Sequence, residues 1–285
     1  SKTGLNLNEI QKAQLVTDLS PYTVASLTPV IVDPSILSII LNVTFKFDSN
    51  ATTNNRESLE TLVSNTITDY NNNYLKVFNS IFRHSQFTTL IDASETSILN
   101  NTTTVALSSL YTPDTAGAFS FNVQFGNQLY NPHSGHNSTA GGIIASTGFY
   151  LGGVTSTEYF FDDDGNGNLR IYYLVTGVRT YFDSAAGTVD YTNGIVKINS
   201  LTMTGIGNVD GASSTQIRLT AIPSSYDIVP VRNQILEIDM TNTSVTASVD
   251  ATATTGVGYT TTQTASGAST TTVSTATSTT TSSAY

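Results

Sequence analysis

The chain has 285 residues, 39% apolar and 9% aromatic, which is enough for two ordinary domains with a sizeable core and too apolar for a disordered polymer. Its 21 acidic and 11 basic side chains give a net charge of −10, with the bases scattered singly from Lys2 to Arg232, so no nucleic-acid partner is expected. Cysteine is absent, which excludes disulfides, thiolate metal sites and cysteine nucleophiles. The apolar stretch Ile36 to Val43 is broken by Ser38 and Asn42 and is far too short to cross a bilayer, so no membrane partner is expected either. Charged residues make up only 11%, against roughly 25% in an average domain, and so uncharged a surface suits a protein covered by neighbours.

Asn8 opens a short amphipathic helix carrying Ile10, Leu15 and Leu19 and stopped by Pro21, after which Pro29 starts an extended run to Pro34. Because the chain opens on Ser1 rather than Met in a helix approach, residues 1–30 are expected to be a helical and linker connection from a longer N-terminal part. Leu37, Ile39, Leu41, Val43, Phe45 and Phe47 recur at every second position, the period of a half-buried strand. Leu59, Leu62, Val63, Thr66, Ile67, Tyr70 and Tyr74 then recur at three- and four-residue steps. That spacing predicts an amphipathic helix, with Asn54 as its cap and Glu57 closing a capping box. A second helical stretch runs from about Phe82 to Ile91, and strand composition returns between Ile98 and Tyr111. The order strand, helix, helix, strand predicts a small α+β unit over 31–112, since an apolar helix stripe needs a sheet to cover it.

After Pro113 short runs rich in Val, Ile, Phe, Tyr and Thr alternate with turn residues, which predicts a β-rich domain over 113–240. The run Gly187 to Ile198 reads as a hairpin whose Asn193-Gly194 pair supplies a type I′ turn, and Tyr159–Phe161 with Leu169–Tyr173 as another. From Thr241 to Tyr285 the only ionisable acid is Asp250, in a run of Thr, Ser, Ala and Gly. Such a segment buries too little to order itself, and its Thr and Val content suits strand addition to another subunit, so 241–285 is expected to be an extended arm. The fold class is therefore α+β: a strand-helix-helix-strand unit, a β-rich domain and the arm.

Two constellations could carry chemistry. Asp162, Asp163, Asp164, Gly165 and Asn166 match the first half of a calcium loop, but Tyr173 stands where a bidentate Glu belongs and strands flank it, so a solvated hairpin tip is the expected reading. His133 and His136 lie three apart in a Pro- and Gly-containing loop with no third ligand nearby. No nucleophile elbow, phosphate loop or dinucleotide fingerprint is present, and no cofactor, metal site or catalytic residue is expected. Six Asn-x-Ser/Thr triplets occur, at Asn42, Asn50, Asn100, Asn101, Asn137 and Asn242, and the richness of the chain in these residues accounts for most of them.

Three blocks in order resemble the baseplate J family, in the C-terminal half of the baseplate wedge proteins of T4-like contractile-tailed phages. The first comprises Val32-Asp33-Pro34, the helix near Tyr70, Phe82-Arg83-His84-Ser85 and Ile98 to Asn101; the second is Asn131 to His136; the third is Asp190 to Gly194 with Val229 to Asp239. The resemblance implies a structural, non-enzymatic protein of the virion tail baseplate, assembled in the host cytoplasm. It further implies a homodimer that binds other wedge proteins and joins neighbouring wedges into a ring around the tail hub. His133, His136, Arg232, Asn233, Gln234 and Glu237 are the candidate interface residues. The other reading is a host-recognition protein of the tail-fibre or surface-adhesin type, suggested by the Asn- and Thr-rich β half and the Asp-rich loop.

Overall fold

In the computed structural model the described residues are 7–23, 29–31, 33–136 and 142–251, together with the backbone of 257–263 and 269–275. The chain divides into two units, one made of Ser1–Leu41, Thr68–His84 and Thr104–Thr243, the other of Asn42–Ile67, Ser85–Thr103 and Ser244–Tyr285. Strand β1 (Ser35–Phe47), helix α2 (Arg56–Tyr74) and strand β2 (Ile98–Tyr111) each begin in one unit and end in the other.

In the second unit the alternation read from the sequence becomes burial. Val43, Phe45 and Phe47 of β1 are inward, and Leu59, Val63 and Ile67 of α2 are wholly buried, as are Phe87 and Ile91 of α3 (His84–Asp92). The cap of α2 is Asn55, whose Oδ1 accepts the Ser58 N–H at 2.8 Å, in place of the expected Asn54, whose own N–H is taken by Thr52. Asn101 on β2 donates to the Thr88 carbonyl at 3.0 Å and to the Asp92 carboxylate at 2.7 Å, so its amide ties β2 to α3. Strand β15 (Ser244–Val249) lies parallel to β1, Asn42 opposite Ser244 through Phe47 opposite Val249, and Glu60 of α2 accepts the Ala247 N–H at 2.9 Å. The start of the expected arm is thus a strand of this sheet. Beyond it β16 (Val257–Gln263) and β17 (Ser269–Thr275) pair with each other, while 252–256, 264–268 and 276–285 lie outside the described residues.

In the first unit α1 (Glu9–Leu19) is capped by Asn8 and Gln11 reciprocally and is followed by a 3-10 turn at Ser20–Tyr22 that contains Pro21. One sheet runs in the order β14-β1-β2-β13-β4, where β4 is Ile144–Ser146, β13 Ile217–Ala221 and β14 Gln234–Ile238. β14 is parallel to β1 and β13 antiparallel to β2, so strands from beyond residue 113 complete the sheet begun by β1. Asn71 of α2 meets β14 edge-on, accepting the Ile238 N–H at 2.9 Å, a buried amide matched to a backbone group that would otherwise be unpaired.

A second sheet of seven strands follows the order β10-β5-β6-β7-β8-β9-β3. Its strands are β3 (Phe119–Gln124), β5 (Phe149–Leu151), β6 (Tyr159–Asp163), β7 (Asn168–Val175), β8 (Val178–Asp190), β9 (Ile195–Leu201) and β10 (Met203–Ile206), and β11 (Asn208–Val209) with β12 (Ala212–Ser213) forms a separate ribbon. Phe121, Val123, Phe149, Phe161, Leu169, Ile171, Val196 and Ile198 fill its inner side. Strand β4 reaches it through side chains, since Ser146 Oγ accepts the Phe161 N–H at 2.8 Å and Asp163 accepts the Ile144 N–H at 2.9 Å. The β8–β9 connection differs from the expected type I′ turn: Asp190 faces Ile195 across four residues, and of Asn193 and Gly194 only the glycine has positive φ. Two-residue turns with both φ values positive do occur, at Thr176-Gly177 between β7 and β8 and at Asp210-Gly211 between β11 and β12.

Candidate interaction surface

The three consecutive aspartates, expected to share a solvated tip, are distributed by the pleat to three different environments. Asp162 and Asp163 belong to β6 and are buried, 1% and 0% exposed, and only Asp164 sits in the turn. Asp162 accepts the Arg170 Nε at 2.9 Å, the Arg179 Nη1 at 2.7 Å and the Tyr181 hydroxyl at 3.1 Å. The register explains the choice, because Asp162 stands directly opposite Arg170 and a carboxylate so buried must be matched by charge. Asp163, on the opposite face, accepts the Tyr191 hydroxyl at 2.7 Å in addition to the Ile144 N–H. Burial and then that hydrogen bond push the Tyr191 hydroxyl far above the usual tyrosine range. Gly142 is required there, since a Cβ would fall 1.4 Å from the Asp163 Oδ1. Burial pulls Asp164 upward, yet donors from Asn168 and Asn166 outweigh it and hold this carboxyl below its usual range.

The cations held by Asp162 are stacked on aromatic rings. Arg170 lies 4.3 Å over the Tyr181 ring and Arg179 lies 4.5 Å over that of Tyr172, while Phe160 stacks on Tyr172 at 5.5 Å. Burial raises the hydroxyl pKa of Tyr172 and of Tyr181, and the nearby Asp162 adds to it in both. On the other side of the same strands Tyr159 packs edge-on against both Tyr173 and Phe182. The result is an Arg and Tyr cluster on β6, β7 and β8 in which Arg170 and Tyr172 are buried and Arg179 and Tyr181 reach the surface, side chains of the kind that dominate protein interfaces. Sequence reasoning missed it, although Arg170, Tyr172 and Leu174, and likewise Arg179 and Tyr181, carry the period-two signal.

Of the candidate interface residues, His133 and His136 come together, with His133 Nε2 and His136 Nδ1 3.2 Å apart and Tyr130 edge-on to His136. Their loop docks on the Asp164 turn, where the Gly135 N–H and Asn131 Nδ2 each donate to the Gly165 carbonyl at 3.1 Å. A shallow cavity of about 550 Å³ beside them is lined by Asn131, His133, Asn166, Asp190 and Tyr191. Arg232 and Asn233 are exposed in the turn that enters β14; Asn233 has φ +66° and its carbonyl accepts the Ser35 N–H at 2.9 Å. Gln234 is buried and donates to the Gln124 carbonyl at 3.2 Å, whereas Glu237 pairs at 3.0 Å with Lys76, both half-buried. The six therefore form two separate groups in the chain, neither of which includes β6, β7 or β8. Among the described residues no three His, Asp or Glu side chains are arranged to hold a metal ion.

Residues 35–109, from the first residue of β1 into β2, match the family described as baseplate structural protein gp6, C-terminal domain III. The chain is also 27% identical over 106 residues to the baseplate wedge protein gp6 of Enterobacteria phage T4, an overlap covering 37% of this chain and 16% of that protein. The resemblance is to the C-terminal part of a baseplate wedge protein. The domain III match covers the β1-α2-α3-β2 segment, and the Arg and Tyr surface lies outside it.

Proposed function

We propose that this chain is a structural, non-enzymatic part of a phage tail baseplate wedge, which self-associates and joins other wedge proteins and neighbouring wedges into a ring around the tail hub. The observation that carries this reading is the domain III match over residues 35–109. The composition supports it, because a surface low in Lys, Glu and Asp is suited to being covered. So does the aromatic and arginine surface, whose side chains are already fixed by Asp162 and lose little freedom on binding. In this reading 31–112 is the wedge-family unit, and the β-rich stretch 113–240 and the arm 241–285 supply contacts between subunits in the virion.

Cross-linking of purified particles followed by mass spectrometry tests it. The expected result is cross-links from this chain to other baseplate proteins. Absence from the particles, or cross-links confined to distal fibres, overturns it in favour of the host-recognition reading.

A further inference from the structure

Strand β8 is paired on both sides only at its end. Gly187–Asp190 pair with Ile198–Ile195 of β9, whereas Val178–Asp183 are paired with β7 alone, and among the described residues no strand covers their other side. The two-residue loop at Thr176-Gly177 sets the parity of this open edge. It is closed by Val175 and Val178 as a hydrogen-bonded pair, so Thr180 bonds Tyr173, and the N–H and C=O groups of Arg179 and Tyr181 turn outward.

Proteins that work alone blunt such an edge with Lys, Pro or an early bulge. The run Val178-Arg179-Thr180-Tyr181-Phe182 has neither Lys nor Pro, and its register shift comes only at its far end, where Tyr172 faces Tyr181 but Ile171 faces Asp183. The one charge in the run is drawn back to Asp162, while Val178 is 65% and Phe182 57% exposed.

We propose that a second copy of this chain adds to this edge, β8 against β8, antiparallel about a two-fold axis at Thr180. The run is self-complementary in that register. Arg179 of each copy stands opposite Tyr181 of the other, Val178 opposite Phe182, and Thr180 opposite Thr180, and the outward groups of Arg179 and Tyr181 supply the main-chain bonds. Centring the axis on Arg179 instead sets two guanidiniums against each other, and centring it on Tyr181 carries the ladder into the bulge. The inference rests on the self-association of the proposed function and gives it a surface.

The full chain measured by sedimentation equilibrium at micromolar concentration tests it. Wild type is expected to be a dimer; T180K and T180E, which set like charges opposite at the axis, are each expected to weaken it at least about tenfold, and an equal mixture of the two is expected to restore it. As a second measurement, T180C is expected to give a disulfide-linked dimer under oxidation, since opposite residues in a pair without hydrogen bonds are close enough to bridge and the chain has no other cysteine. A monomeric wild type, a dimer indifferent to both charges, a mixture that stays monomeric, or T180C that does not cross-link each overturns the proposal. None of these outcomes bears on whether the chain is found in the baseplate.

Discussion

The β1-α2-α3-β2 segment and the β6-β7-β8 hairpins solve burial in opposite ways. In the first the inward positions are those that pattern marks as apolar, among them Leu41, Val43, Phe45, Leu59, Val63 and Phe87. In the second the buried positions include Asp162 and Arg170 on one face and Asp163 on the other, beside the apolar Phe161, Leu169 and Ile171, while Val178, Phe182 and Leu174 are exposed. A buried apolar residue needs only the right volume, whereas a buried charge needs a named partner at a named distance, so the hairpins are specified by register as well as by hydropathy.

The largest effects test that contrast directly. Phe45→Ala is expected to destabilise by about 3–5 kcal/mol through lost burial and the cavity it leaves, measured by denaturant unfolding. Asp162→Ala is expected to cost a similar ~3–5 kcal/mol for a different reason, since it strands the buried Arg170 without its carboxylate. A loss under 1 kcal/mol for Asp162→Ala would show that the ion pair is incidental and break the comparison.

Asn71→Ala comes next at roughly 1–3 kcal/mol, the penalty of leaving the buried Ile238 N–H unpaired. Smaller again is the response to acid. The Ala247 N–H first, and then Arg56, hold the Glu60 carboxyl below its usual range, and Arg83 with the His84 N–H does the same for Asp227. Because these folded-state pKa values are depressed, their contribution is fully present above the unfolded values near pH 4 and is lost as pH falls through the folded ones. The thermal midpoint is therefore expected to drop below about pH 4, and less steeply in Glu60→Gln. Smallest of all, Val178→Ser is expected to move the stability of the single chain by no more than about 0.5 kcal/mol, because that side chain is mostly exposed in its own chain.

The elements of the first region were legible because strand and helix periods are local. β1, α2 and β2 appear where Leu37 to Phe47, Leu59 to Tyr70 and Thr103 to Leu107 place them. What was not legible was pairing at a distance. Nothing in Gln234 to Ile238 says that it lies parallel to Ser35–Ile39, and nothing in Ser244 to Val249 says that it continues beside Asn42–Phe47. Turn chemistry misled at Asn193-Gly194, where the favoured dipeptide sits in a four-residue loop, while the less obvious Thr176-Gly177 makes the tight turn. The Asp162 to Asp164 run misled for a related reason: three identical residues look alike in composition, but two fall on opposite faces of a strand and the third beyond its end.

The register shift near Phe182 has an architectural corollary. A ladder that adds to β8 runs out of straight backbone after five residues, and a two-fold match uses the free side of both participants at once. Growth by this seam therefore stops at two and cannot run on into a fibre, as a particle built from a fixed number of parts requires.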